Sequence, residues 1–363
     1  MKFRVDSKNH ELINAPVFFE AQMDLSGSFL VGKDKKIPLA KSHGAKDQYV
    51  FVMDYMEKGA VEQYEIVEGE NVDTGEKKYM EAVLGDGIVD IFSGGERICG
   101  YYFGSDLPKP YLGPFLAKNG ECITRHDYAG NEHPHHRNIW FSHGDINGAD
   151  TWNESEDNCG YIINQKIENI QNNQVFASFV AKNTWTSRKK EPIADDTTRI
   201  TVYNTKNFTK IIDASLTLAA SYGDITLGQT KEAGPIAVRM ADKLRVLGGN
   251  GTIKSSYGAI NEAEIWMKRA AFNDYFGELG DNNVYGVAIF DNPENDGYPS
   301  YWHTRDYGLM AANNYYIGGE KKIKAGESVT FVYRIVVHEG DTESAKINTL
   351  FNNYLTSPEV VLG

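Results

Sequence analysis

The chain has 363 residues, 41% of them hydrophobic, which is enough to bury a large core, and 37 Lys and Arg stand against 50 Asp and Glu. A formal charge of −13 repels phosphate backbones and anionic lipid, so nucleic-acid and membrane-surface partners are disfavoured. The amino terminus is polar, no run of about 18 apolar residues occurs, and Cys99, Cys122 and Cys159 form no CxxC pair, so the expectation is a cytoplasmic protein with reduced thiols.

Aromatic residues make up 12% of the chain, with 21 Tyr and 17 Phe beside 35 Gly, a mixture that favours twisted sheets joined by turns. In chain order, a polar stretch near 68–78 reads as a loop, and GIVDIFSGGERICGYYF reads as two strands about Gly94-Gly95. A second loop is expected over 186–198, followed by a strand in TTRITVY. KIIDASLTLAA sets Ile212, Ala214, Leu216 and Leu218 on one face against Asp213, Ser215 and Thr217. VYGVAIFDNP is apolar enough for burial on both faces, and SVTFVYRIVVHEG alternates Val329, Phe331, Tyr333, Ile335 and Val337 against Thr330, Arg334 and His338. Gly248-Gly249, Asn292-Pro293 and Gly318-Gly319 punctuate these strands too closely for intervening helices. Only the carboxyl end patterns as a helix, about 341–355, capped by Asp341 or Thr342 and burying Ile347, Leu350, Phe351 and Tyr354. With no repeat and no linker, the reading is all-β: one large antiparallel β-sandwich domain over 1–363 with a short C-terminal helix.

Between residues 121 and 152 lie five of the nine histidines, with Arg125, Asp127, Arg137, Asp145, Asp150 and two tryptophans. Imidazole changes charge near neutral pH, donates or accepts through either nitrogen and ligates metals, so this density marks a candidate active centre. In HPHHR, Pro134 biases His133 toward an extended backbone, and continued extension would place His133 and His135 on one side. A glutamate at metal-ligand spacing does not follow, so metal ligation by His133, His135 and His143 stands only as an alternative to metal-free acid–base chemistry. WFSHGDINGADTW then offers His143, Asp145 and Trp152 from a tight loop. Asp145 fits an Asx turn as well as a ligand. Two distant segments complete the inventory. GQTKEAGPIAVRM supplies Lys231, Glu232 and Arg239, and YWHTRDYG supplies Trp302, His303 and Arg305.

The wording TRHDYAGNEHPHHRNIWFSHGDINGADTW, then TKEAGPIAVRMADKL, GVAIFDNPEN, YWHTRDYGLMAANN and KAGESVTFVYRIVVHEG resembles the bacterial family labelled "methane oxygenase PmoA-like", over roughly residues 100 to 340. The label conflicts with physics, because a methane monooxygenase subunit crosses lipid on helices and no segment here is able to. The resemblance implies a galactose mutarotase-like supersandwich and a setting in sugar catabolism. It further implies a groove lined by His135, His136, Arg137, His143, Lys231, Glu232, His303 and Arg305.

The functional expectation is a carbohydrate-active enzyme of epimerase/mutarotase or lyase/dehydratase type, acting on a mono- or disaccharide or a keto-sugar. His136, His143, Glu232 and His303 are its catalytic candidates. Arg125, His135, Arg137, Asp145, Trp152, Lys231, Arg239, Trp302 and Arg305 are its substrate-binding candidates. The alternatives are a noncatalytic sugar-binding module and a metal-dependent hydrolase or oxygenase. The partner is a small carbohydrate. No cofactor is required by this reading, although a divalent metal belongs to the last alternative, and the sequence sets no oligomeric state.

Overall fold

A computed structural model describes residues 1–43, 47–69, 79–126, 132–155, 157–280 and 282–363. Two eight-stranded sheets dominate it, and every ladder in both is antiparallel. The first runs Trp302–Arg305, Leu309–Ala312, Ala233–Arg239, Ile139–His143, Tyr111–Gly113, Glu96–Tyr102, Ile88–Ser93, Met80–Leu84. The second runs Tyr161–Asn172, Phe176–Thr186, Pro192–Tyr203, Lys210–Ala219, Ser328–Glu339, Val284–Asp291, Phe272–Glu278, Thr252–Ser255. The antiparallel β-sandwich expected from the alternation is therefore what forms.

Register explains why the sheets pack. Leu216 lies opposite Phe331 and Ala214 opposite Tyr333, so the apolar faces of both alternating segments coincide and enter the core between the sheets. Asp213 lies opposite Arg334 on the other face, and the guanidinium donates to its carboxylate at 2.6 and 2.8 Å. In Val284–Asp291, Val287 and Ile289 face the inter-sheet core while Ala288 and Phe290 face outward, as burial on both faces requires. That outward face is covered by Val50 and Val52 of the N-terminal strand Gln48–Met56 and by Ile347 and Leu350 of the C-terminal helix. The N-terminal strands, joined by the C-terminal strand Glu359–Leu362, form two smaller sheets with their own core of Phe3, Val17, Phe19, Phe51 and Tyr64. Four β layers thus stack, and the first eight-stranded sheet keeps its outer face for other uses.

Gly94 and Gly95, both at positive φ, make the two-residue turn between Ile88–Ser93 and Glu96–Tyr102. Two expectations change, and a third falls outside the described residues. The segment 186–198 is not a loop, because strands Phe176–Thr186 and Pro192–Tyr203 pair almost to their ends and leave only 187–191 as a turn. The polar stretch near 68–78 falls on residues 70–78, outside the described part. The C-terminal helix spans Ile347–Leu355, not 341–355, since Lys346 adopts a left-handed conformation and Thr342 donates its hydroxyl to Asp274 instead of capping. Two short helices, Asn261–Ile265 and Tyr315–Gly318, carry no periodic signal long enough to be seen in the sequence.

Candidate functional site

The outer face of the first eight-stranded sheet is built by alternation. In Trp302–Arg305, Trp302 enters the inter-sheet core, so His303 and Arg305 point the other way. In Leu309–Ala312, Met310 and Ala312 are core and Leu309 and Ala311 are outer; in Ala233–Arg239, Ile236 and Val238 are core and Ala237 and Arg239 outer. The register then aligns one row across six strands: His303 opposite Ala311, Ala311 opposite Ala237, Ala237 opposite Trp140, Trp140 opposite Tyr111, Tyr111 opposite Tyr102. A parallel row aligns Arg305 with Leu309 and Leu309 with Arg239. Imidazole, guanidinium and aromatic rings from four distant parts of the sequence thus share one surface.

The HPHHR segment folds onto that surface as a turn and not as the extended chain expected. Pro134 fixes its own φ, His133 takes φ 51°, and the amide of His136 donates to the His133 carbonyl at 3.0 Å. The pairing is therefore i to i+3: His133 and His136 stack with centroids 5.0 Å apart, and His135 meets His136 edge-on at 4.5 Å. Tyr307 extends the stack at 4.7 Å from His133, while Trp140 at 5.4 Å and Trp152 at 5.6 Å close round His136. Arg125 holds the turn by donating to the carbonyls of Glu132 and His133. Asp127 lies outside the described residues.

Arg239 is fully buried and its Nη1 faces His136 Nδ1 at 3.1 Å. A guanidinium only donates, so Nδ1 accepts and Nε2 of His136 carries the proton. Burial, then neighbouring His135 and Arg239, hold His136 well below the usual imidazole range. Burial and Lys109 push His135 to about 3, and burial and Arg305 push His303 to about 3. Arg239 itself is lowered to about 10, by burial and then by Arg125. These imidazoles are neutral at physiological pH.

His303 is 3% exposed, and neither ring nitrogen makes a hydrogen bond, although the Lys231 carbonyl faces the ring and opposes part of the drop. Among the described residues, six buried side-chain nitrogens lack a hydrogen-bond partner, and five belong here: His133 Nδ1, Arg239 Nε, His303 Nδ1 and Nε2, and Arg305 Nε. Each such group costs about 1–3 kcal/mol unless something outside the protein satisfies it. Arg305 Nε lies 3.0 Å from Glu262 Oε1 without hydrogen-bond geometry. Glu232 sits half-buried at the rim, 3.3 Å from Lys231 Nζ, and acts electrostatically on Tyr307.

Several expected residues stand elsewhere. His143 lies three positions from Trp140 and so points to the opposite, inner face, where its Nε2 donates to the Gly228 carbonyl at 3.0 Å and its ring abuts Tyr315. Burial holds it at about 4. Trp302 likewise belongs to the core, its indole donating to Ala270 at 2.8 Å, and offers no face to a ligand. Asp145 makes an Asx turn with the Gly148 amide at 2.9 Å, and any side chain on Gly228 would strike its carboxylate. Arg137 is committed to Glu154 through two bonds of 2.8 and 2.7 Å, and Trp152 is buried as a wall beside His136 and His303. The alternative metal set does not converge, and no group of three His, Cys, Asp or Glu among the described residues is arranged to hold an ion.

Sequence reading missed Lys109, Glu132, Glu154 and Tyr307. Lys109 is fully buried between two prolines, donating to the Trp152 carbonyl at 2.6 Å and pairing with Glu154 at 3.0 Å. Burial lowers its ammonium and Glu154 partly restores it. The Pro-Lys-Pro sequence was the available signal, because it forbids helix and fixes the direction of the lysine.

No helix among the described residues is long and apolar enough to cross a membrane, and all three cysteines are free. Among curated proteins no sequence matches this chain. Solved structures similar to it include a GH36 α-galactosidase from Geobacillus stearothermophilus, with 8% identity and a TM-score of 0.36 over 73% of this chain and 40% of that one. They also include an α-mannosidase from Enterococcus faecalis, with 12% identity and a TM-score of 0.45 over 99% of this chain and 46% of that one. The GalM/aldose epimerase homologue from C. elegans matches with 8% identity and a TM-score of 0.30 over 72% of this chain and 98% of that one. The chain thus spans less than half the length of the first two. Over residues 88–352 the sequence matches the model of a family of unknown function, DUF6807, and the chain belongs to that family.

Proposed function

We propose that this protein is a cytoplasmic, single-domain carbohydrate-active enzyme that moves a proton on a mono- or disaccharide beside a carbonyl, as an epimerase or a lyase/dehydratase acting on a keto-sugar. The observation that carries this reading is His303, buried with both ring nitrogens unpartnered in the same cross-strand row as Trp140 and Tyr111. An imidazole lowered to about 3 does not supply the protonated acid that simple ring opening asks for near pH 7. Neutral imidazole is suited to donating a hydrogen bond to a substrate carbonyl, and the Nε2–H of His136 is a second such donor. Glu232 at the rim then takes the proton from the adjacent carbon, and the same imidazole donors hold the enolate oxygen that the carbonyl becomes, with the Arg305 guanidinium beside Tyr307 adding positive charge at the rim. The three free cysteines support the compartment, and the PmoA-like resemblance supports an oxidised sugar.

A sugar-binding module without chemistry would need exposed aromatic platforms. Here Trp140 and Trp152 are each 1% exposed. The deciding experiment incubates the protein with a set of keto-sugars in D2O and follows carbon-bound proton exchange and product formation by NMR. Exchange is expected, with Glu232→Gln and His303→Ala slowing it roughly a hundredfold. Absence of exchange across the set, or parental rates in both variants, sinks the proposal.

A further inference from the structure

We infer that the sugar carries an anionic substituent, a carboxylate or a phosphate, which docks over His303 between Arg305 and Lys231; this rests on the sugar reading above and narrows it. The charges of the site are placed asymmetrically. Lys109 and Arg137 share the single carboxylate of Glu154, and Arg239 and Arg245 share one oxygen of Glu132. The side chains of Lys109 and Arg239 are 0% exposed, while those of Glu154 and Glu132 are 13% and 50% exposed. Positive charge is therefore held inside and its countercharge toward solvent, in a chain whose net charge is −13.

The unpartnered atoms point to the same ligand. Arg305 Nε needs an acceptor, and His303 offers a donor and an acceptor beside it. The two residues sit at i and i+2 on one strand face, roughly 7 Å apart, so one sugar ring reaches both. The Lys231 carbonyl faces His303, and its ammonium belongs to the same rim. The guanidinium carbons of Arg239 and Arg305 both lie over the Tyr307 ring, 4.8 and 5.3 Å from its centroid, which helps to fix the direction of both. The existing pairs of Arg305 with Glu262 and of Lys231 with Glu232 have both partners partly exposed, at 30%/29% and 51%/29% against 0%/13% for Lys109 with Glu154, and the Arg305 Nε contact lacks hydrogen-bond geometry. Pairs of that kind hold weakly, so an incoming anion displaces them readily.

Titration calorimetry on the intact protein tests this with matched ligands: glucose against glucuronate, galactose against galacturonate, and glucose against glucose 6-phosphate. The charged member is expected to bind at least about tenfold more tightly, with the preference shrinking as salt rises from about 0.05 to 0.5 M. Arg305→Gln should reduce that preference about tenfold and Lys231→Met about threefold, with thermal melts reporting whether each variant folds. Should Arg305→Gln fail to fold, Lys231→Met carries the same readout. Equal or tighter binding of the neutral members overturns the anionic inference and leaves the sugar reading standing. Binding of no member overturns both. Comparison of the uronate pairs with the phosphate pair distinguishes the two anions.

Discussion

Two imidazoles lie equally deep in this protein, and only one is at rest. His338, on the outer face of the second eight-stranded sheet, is 0% exposed; its Nε2 meets Asp274 at 2.8 Å, its Nδ1 meets the Gly340 carbonyl at 3.0 Å, and Thr342 completes the Asp274 carboxylate at 2.7 Å. His303, on the outer face of the first, is 3% exposed and has neither nitrogen satisfied. Depth therefore does not distinguish the two environments. What separates them is whether the fold itself supplies their hydrogen bonds.

Putting the same side chain at both positions breaks the comparison most directly. His338→Phe strands a buried carboxylate in a tight site against Gly286, and is expected to lower unfolding free energy by about 3 kcal/mol or more, read by urea denaturation. His303→Phe loses no hydrogen bond of the folded chain, so stability should hold within about 1 kcal/mol while proton exchange on substrate falls roughly a hundredfold, about 2.7 kcal/mol of barrier. A large loss of stability in the second variant would show that His303 is a packing residue. The acid limb sharpens the contrast further. His303 and His143 have folded-state values of about 3 and 4 against 6.5 in the unfolded chain, so the unfolded chain takes up protons first as pH falls. The contribution of these two imidazoles is then full above pH 6.5 and is lost as pH falls from there toward about 4 for His143 and about 3 for His303, by as much as 1.4 kcal/mol per pH unit for each. His303→Phe should remove about one proton from that slope, measured from denaturation midpoints across pH. The smallest effect is expected at Asp145, where Asp145→Asn keeps the oxygen that accepts from Gly148 and should change turnover less than about twofold.

The alternation of Ile212 to Leu218 and of Val329 to Val337 was enough to foretell two strands of an antiparallel architecture, while their pairing with each other, and the burial of the second on both faces from Tyr333 to His338, came from the fold. The site was legible only as an inventory. That His303, Arg239 and Trp140 share a surface follows from cross-strand register, which couples residues some 60 to 160 positions apart and leaves no local trace. Trp302 and His143 were misassigned for the same reason: residue type suggested a role, and strand parity put both on the inner side. The turn at His133 overrode the extended bias before proline because Arg125, from outside the segment, fixes its carbonyl. The Pro-Lys-Pro setting of Lys109 marks a fixed backbone and does not report the burial of the side chain, since a lysine is ordinarily a surface residue.

The two alanines midway along the outer row, Ala237 and Ala311, have a consequence for tuning the molecule. They belong to the same buried cluster as Trp152 and Trp140, and being small they leave the outer face of the sheet room for those indoles. A larger residue at either position would act as a wedge under the Trp152 indole. The segment carrying Glu154, two residues on, would be levered away from Lys109 and Arg137, so added methylenes beneath the surface are expected to loosen that buried charge pair without changing any charged residue.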